Sequence, residues 1–205
     1  MGVSERKARA KEALRQHILD AATELFVSEG YQNVSMRKIA DKIEYAPATI
    51  YLYFKDKREI GETIVREVFE ELTEQLQTLE KAITNPDEAL RAGLRCYILF
   101  GLEHPHHYLL TFGPDPEPDL SGELTPTDRA GLEALAQLRK ALIRCMDAGT
   151  VRRDDPDVLA QTTWMCLHGI TQMLICLKTA PTFPMAPAEA IISTGLDMLL
   201  RGLRP

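Results

Sequence analysis

Residues 30–58 read GYQNVSMRKIADKIEYAPATIYLYFKDKR, with the signals of two short helices close together. Ahead of it, Leu14, Ile18, Ala21, Ala22, Leu25 and Phe26 recur three and four residues apart, which predicts a first helix over about 5–29. Gly30 supplies its stop. Ser35 is an N-cap candidate for a short helix over 36–43. Pro47 opens the next helix, because its missing N–H costs nothing at the first position, and that helix is expected to run to about residue 53. Ile43-Glu44-Tyr45-Ala46 lies between the two short helices, and Ile39, Ala40, Ile50 and Phe54 have the spacing to pack on the first helix. The pattern is that of a helix-turn-helix, in which the second helix enters a major groove while the first crosses the backbone. The outward face of the second helix carries Ala48, Thr49, Tyr51 and Leu52, with Arg37, Lys38, Lys42, Lys55 and Lys57 around it as phosphate contacts. Spacing alone leaves a helical hairpin used only for packing as the alternative.

Outward from this stretch the periodicity stays helical, with no apolar–polar alternation and no hairpin dipeptide. A long helix is expected over 57–82, then 86–103 behind Asn85-Pro86, a short one to Phe112, one from about 126 to 148, one over 156–179 behind Asp155-Pro156, and a last over 188–201. The fold class is therefore all-α with about nine helices. Residues 113–123, GPDPEPDLSGE, read as an exposed loop, and Pro181, Pro184 and Pro187 as a connection. The expected division is an N-terminal three-helix domain carrying the helix-turn-helix over 1–56 and a C-terminal helical domain over 57–205.

The 205 residues are 45% hydrophobic and 26% charged, which suits one or two packed domains and excludes global disorder. The net charge of −6 hides an asymmetry: residues 1–58 carry 11 Lys+Arg against 8 Asp+Glu, and the remainder 13 against 22. A basic head on an acidic body suggests that only the head meets a polyanion. No apolar run is long enough for a membrane span, and the charged start MGVSERKARAKEALRQ lacks a secretory core, so a cytoplasmic protein without membrane partners is expected. Cys96, Cys145, Cys166 and Cys176 form no CxxC pair and are expected to be reduced thiols.

The runs Gly30-Tyr31…Val34-Ser35-Met36-Arg37-Lys38-Ile39-Ala40 and Ala48-Thr49-Ile50-Tyr51-Leu52-Tyr53-Phe54-Lys55-Asp56-Lys57 resemble the DNA-binding domain of TetR-type transcriptional regulators. Trp164, His168 and Gly169 in QTTWMCLHGI, with His104-Pro105…Tyr108-Leu109-Leu110-Thr111-Phe112-Gly113, are similar to the branch of that family named for its Trp-His-Gly C-terminal domain. The resemblance implies an all-helical homodimer that represses transcription and releases a palindromic operator on binding a small molecule. It also implies that Tyr51 and Lys55 bind phosphates and that Tyr45, Ala46, Pro47, Ala48 and Thr49 face bases. Ser35 and Arg37 stand at a helix N-terminus, where free N–H groups and a cation also favour phosphate.

Two positions depart from the family pattern. Glu44 stands where the turn is usually glycine, at about 1 kcal/mol if its φ is positive. Ala46 replaces the usual hydroxyl N-cap, which Pro47 partly offsets by presetting φ. With no Arg, Asn or Gln at 45–49, bidentate readout of purines is limited, so Ala46, Ala48 and the Thr49 methyl are expected to read thymine methyls, with DNA shape supplying the rest. The basic arm Arg6-Lys7-Ala8-Arg9-Ala10-Lys11 is either a backbone-tracking element or a solvated first turn.

In the body, the helices over 156–179 and 188–201 are apolar on more than one side and need partners on two, which a two-fold four-helix interface would supply. An effector pocket under the long helix has Phe69, Tyr97, Phe100, Tyr108, Phe112, Trp164, Met165, His168 and Met173 as candidate lining, a composition suited to a hydrophobic, weakly charged small molecule. The long helix is the expected lever between pocket and head, acting by population shift.

No GxSxG, HExxH or glycine-rich phosphate loop is present, so neither catalysis nor a cofactor is expected. The alternative is a metal-responsive regulator using His104, His106 and His107 with Cys96, although their spacing matches no standard zinc pattern.

Overall fold

The computed structural model describes residues 2–112, 123–178 and 184–205. Among them lie nine α-helices: α1 Val3–Glu29, α2 Met36–Lys42, α3 Pro47–Ile50, α4 Lys57–Ala82, α5 Pro86–Glu103, α6 Pro105–Phe112, α7 Pro126–Asp147, α8 Pro156–Lys178 and α9 Ala188–Leu203. The described residues contain no strand. The loop expected at 113–123 lies outside the described residues except for Glu123, and so does Pro181.

The helix starts follow from their caps. The Ser35 hydroxyl accepts from the Lys38 N–H at 3.2 Å. Asp56 accepts from the Glu59 N–H at 2.8 Å, while the Glu59 carboxylate accepts from the Lys55 N–H at 2.7 Å. Asn85 accepts from Asp87 and Glu88, and Asp155 from Asp157 and Val158. Each such bond satisfies a donor that has no intrahelical acceptor. Gly30 ends α1 at φ 83, a conformation open to glycine at little cost.

Three details differ from the sequence expectation. The helix α1 begins at residue 3 rather than 5, and a 3-10 turn over Tyr31–Asn33 joins it to α2. The helix α3 is only Pro47–Ile50, not 47–53. Beyond Ile50, the N–H groups of Leu52 and Tyr53 bond to carbonyls three residues back, Thr49 at 3.2 Å and Ile50 at 2.9 Å. This tighter winding carries the chain on to Phe54, which is buried in the core.

Two compact units are described separately. The first is formed by Met1–Val68 with His106–Thr127, the second by Phe69–Pro105 with Asp128–Pro205. The limit of compaction thus falls within α4, and α6 belongs to the first unit.

The first unit is built on one apolar cluster. Ile18, Ala22, Ile39, Ala40, Ile50 and Ile60 are wholly buried in it, with Leu25, Phe26, Ile43 and Phe54 around them. Ile39, Ala40, Ile50 and Phe54 thus occupy the places their spacing assigned. Burying each such isoleucine contributes ~1.5–3 kcal/mol, so the stripe dominates the surface ion pairs in holding the head. The Tyr31 ring lies 4.9 Å from that of Phe26, and Gly61 on α4 has its Cβ position 3.5 Å from Tyr31.

In the second unit α5, α8 and α9 pack mutually. Leu90, Leu94, Ile98, Leu142, Leu167, Ile192 and Leu196 are buried to within a few per cent. Arg95 holds Glu189 through two bonds of 2.9 and 2.8 Å, and Arg91 pairs with Asp197, so α5 and α9 are also tied at their surface. Glu80 on α4 receives Lys140 and Arg144 of α7 at 3.1 and 3.2 Å.

Candidate nucleic-acid interface and effector site

The packing of Ile39, Ile43, Ile50 and Phe54 turns one side of α2 and α3 inward and leaves the other in solvent. Tyr45, Ala46, Ala48 and Tyr51 are exposed, and Pro47 and Thr49 half-buried. Leu52 is 77% exposed, a large apolar side chain with no packing role within the chain. Ala46 stands at the N-cap of α3 without a side-chain bond, and Pro47 follows it at the first position.

The surrounding cations divide into two groups. Lys42 pairs with Glu24 at 2.6 Å, and this contact holds the Glu24 carboxyl below the usual carboxylate range. Lys38 pairs with Glu29, both on the surface. Lys57 donates to the Tyr31 carbonyl at 2.8 Å and stands 4.2 Å from the centre of its ring. These three secure α2 and α4 to the end of α1. Arg37 touches Asp41 only at 4.0 Å, and Lys55 has no acidic partner among the described residues, so these two are available to an outside anion.

Glu44, two residues before the N-cap of α3, has φ 60. The chain turns there as it would around glycine, with the Glu44 N–H on the Asp41 carbonyl and the Tyr45 N–H on the Ala40 carbonyl at 3.0 Å. Glu44 is the one non-glycine residue of the described chain with positive φ.

The nine candidate pocket residues fall into three groups. Tyr108 and Phe112, with rings 4.7 Å apart, belong to the first unit. Phe69, Tyr97, Phe100, Trp164 and His168 belong to the second and are buried or half-buried. Phe69 lies against α7 where Gly131 has no side chain, 3.3 Å from its Cβ position. The Trp164 indole donates to the Tyr97 hydroxyl at 3.1 Å, and the His168 ring lies 5.8 Å from that of Trp164. Burial pushes the His168 pKa below its ordinary value, which favours the neutral imidazole.

Met165 and Met173 form the third group. They are 61% and 53% exposed, on the opposite side of α8 from buried Leu167 and Leu174, so in this chain they line no interior space. The sequence grouped them with Trp164 and His168 by composition. At a hundred degrees per residue they fall on a line with Val158 and Gly169. Met198 on α9 is likewise exposed.

The family model "Bacterial regulatory proteins, tetR family" matches residues 18–64, and the model "Tetracyclin repressor-like, C-terminal domain" matches residues 90–199. The second match alone spans more than half of the chain. The chain belongs to the tetR family of bacterial regulatory proteins. It is similar to the transcriptional repressor DhaR of Mycobacterium sp. (strain GP1), 26% identical over 153 residues that cover 74% of this chain and 77% of that protein. It is also similar to the transcriptional activator FasR of Mycolicibacterium smegmatis, 27% identical over 60% of this chain and 58% of that one. Among solved structures, the fatty acid degradation regulator FadR of Bacillus halodurans superposes with a TM-score of 0.80 at 19% identity, over 93% of this chain and 96% of that chain. FadR of Bacillus subtilis, solved with stearoyl-CoA, superposes with a TM-score of 0.79 at 19% identity, over 92% and 99%.

As a tetR-family regulator the protein is a DNA-binding transcriptional regulator. The metal-responsive alternative finds no support. Among the described residues no three His, Cys, Asp or Glu side chains come together as a metal site. His104 instead ends α5 with its ring 5.1 Å from that of Phe100. The sequence placed Leu52 on the outward face without giving it a contact, and the structure leaves it exposed there, as it does Tyr51.

Proposed function

We propose that the chain is a homodimeric cytoplasmic repressor that holds a palindromic operator through α3 and releases it when a hydrophobic small molecule binds the body. The observation that carries this reading is the exposed outward face of α2 and α3, backed by the apolar cluster on α1. In functional terms residues 1–56 are the reading head and 57–205 the effector and dimer body. Tyr51, Lys55, Ser35 and Arg37 engage phosphates, while Tyr45, Ala46, Pro47, Ala48 and Thr49 face the bases. Alanine and threonine methyls there favour thymine-rich half-sites, with groove shape completing the discrimination.

The exposed line Val158–Met165–Gly169–Met173 on α8, with Met198 on α9, is the face that a second copy covers. The two-fold axis then spaces the recognition helices for half-sites ~34–36 Å apart or a multiple of that distance. Phe69, Tyr97, Phe100, Trp164 and His168 of the second unit supply the effector surface. Its aromatic character and its neutral imidazole favour an apolar ligand with few charges. The pairing of Trp164 with His168, followed by Gly169, supports the Trp-His-Gly branch of the family. FadR of Bacillus subtilis, solved with stearoyl-CoA, makes long acyl chains a first class to try. The effector acts only through its differential affinity for two dimer geometries, and α4, continuous from residue 57 to 82, is the covalent path.

Operator selection from random DNA with the purified chain tests the reading, followed by titration of acyl-CoA, fatty acid and neutral aromatic classes against the selected duplex. A two-fold site enriched in thymine under α3, released by an apolar ligand, is expected. Enrichment of no sequence, or a site discriminated through guanine contacts to 45–49, overturns it.

A further inference from the structure

The first three turns of α1, residues 3–13, have no role in the packing of the head. The family match begins at residue 18, yet the helix begins at Val3. All described side chains from Ser4 to Ala13 are exposed, and between Ser4 and Ala13 the only apolar residues are alanines. A helix without an apolar face is not held by packing. Arg6, Lys7, Arg9 and Lys11 also sit where the helix macrodipole disfavours cations. Both costs vanish if the segment lies against a polyanion.

Its charges are arranged for that. Glu5 is occupied at the cap, where its carboxylate accepts from the Gly2 N–H at 3.0 Å. Glu12 stands 3.6 Å from Arg15, which in turn pairs with Glu67 on α4 at 2.9 Å. Arg6, Lys7, Arg9 and Lys11 have no acidic partner among the described residues. Lys7 and Lys11 continue, at helical spacing, the line Leu14–Ile18–Leu25, the stripe through which α1 meets the core of the helix-turn-helix. At 3.6 residues per turn Arg6 lies about 110° round the helix from that line and Arg9 on the opposite side, so the cations surround the rod. At ~1.5 Å per residue the eleven residues before Leu14 project about 16 Å past the core, roughly half a turn of duplex.

We infer that residues 3–13 are a second DNA-contacting element, a rigid basic rod that follows the phosphate backbone flanking the half-site read by α3. This rests on the DNA-binding reading of the head. The rod carries sequence-independent affinity and part of the salt dependence, while α3 carries the discrimination.

The test is fluorescence anisotropy of the full-length chain on the selected operator and on a scrambled duplex, between 50 and 300 mM salt. The variant R6A/K7A/R9A/K11A keeps helix propensity and removes the four charges. Four phosphate contacts correspond to a slope change of about 3.6 per protomer in log K against log salt. The variant is expected to lose ~10²–10³-fold at 0.15 M on both duplexes, with an unchanged preference between them and a melting temperature no lower than that of the wild type. The control Lys55→Ala is expected to change the slope by about one contact. A slope that moves by less than one contact, in a chain that otherwise binds its operator, overturns the rod alone. A wild-type chain that binds no DNA overturns the underlying reading instead.

Discussion

Glu44 separates strain from charge at one position. Its φ of 60 is costly for a residue with a Cβ, ~1–2 kcal/mol against a right-handed residue. Glycine removes that cost but brings ~0.5–1 kcal/mol of extra freedom to the unfolded chain. Glu44→Gly should therefore stabilise the protein by ~0.5–1 kcal/mol, or about 1–4 °C in melting temperature at this chain length. Glu44→Ala keeps the strain and should gain nothing. The carboxylate also stands two residues from the N-cap of α3, the helix proposed to read DNA, with no cation bound to it among the described residues. If it opposes one phosphate contact, Glu44→Gln should tighten operator binding ~5-fold per protomer at 0.15 M salt without changing the melting temperature. Glu44→Gly should show both gains. Differential scanning calorimetry and operator titration read the two effects separately. A Glu44→Gly chain that melts at or below the wild type, level with Glu44→Ala, would refute the strain argument. An unchanged affinity in Glu44→Gln would refute the electrostatic one.

The remaining predictions address the cap, the dimer face and the body. Ser35→Ala removes the 3.2 Å bond to the Lys38 N–H and should cost ~1 kcal/mol, read as a lower denaturant midpoint with an unchanged m-value. Met165→Glu or Met198→Glu places a charge on the face assigned to the partner copy; light scattering should then report monomers, and operator affinity should fall by ~10²-fold or more as the two heads lose their linkage. Trp164→Phe removes the donor to the Tyr97 hydroxyl together with part of the ring, and the share of the hydrogen bond, ~1 kcal/mol, should appear as the coupling energy of a double-mutant cycle with Tyr97→Phe in denaturant unfolding. His168 is held below its ordinary pKa of 6.5, so below that pH the unfolded chain binds a proton that the folded chain resists. Its contribution is complete above pH 6.5 and declines as the pH falls towards the folded value; His168→Asn should flatten that part of the pH–stability profile.

The head was legible because its signals are local. Ser35, Gly30 and Pro47 act on their own backbones, and Ile39, Ala40, Ile50 and Phe54 declare their side by spacing alone. The αL turn at Glu44 was open to anticipation only through the resemblance, which puts glycine at that position, because glutamate itself carries no such signal. The extent of α3 could not, because helix propensity does not say when the core will draw Phe54 inward and tighten the winding. The body yielded less for a related reason. An apolar residue on a helix declares that it wants cover, not what covers it, so Met165 and Trp164, adjacent in sequence and both large, could not be sorted between a partner copy and an interior. Packing sorts them: Trp164 finds the Tyr97 hydroxyl, whereas Met165 is left 61% exposed. The same argument applied to charge singles out the start of α1. Lys38, Lys42 and Lys57 look like Arg6, Lys7, Arg9 and Lys11 in the sequence, but the first three are drawn into contacts within the head. The second four are not, so the basic charge of the head that remains for an outside polyanion is concentrated where the helix has no structural use for it.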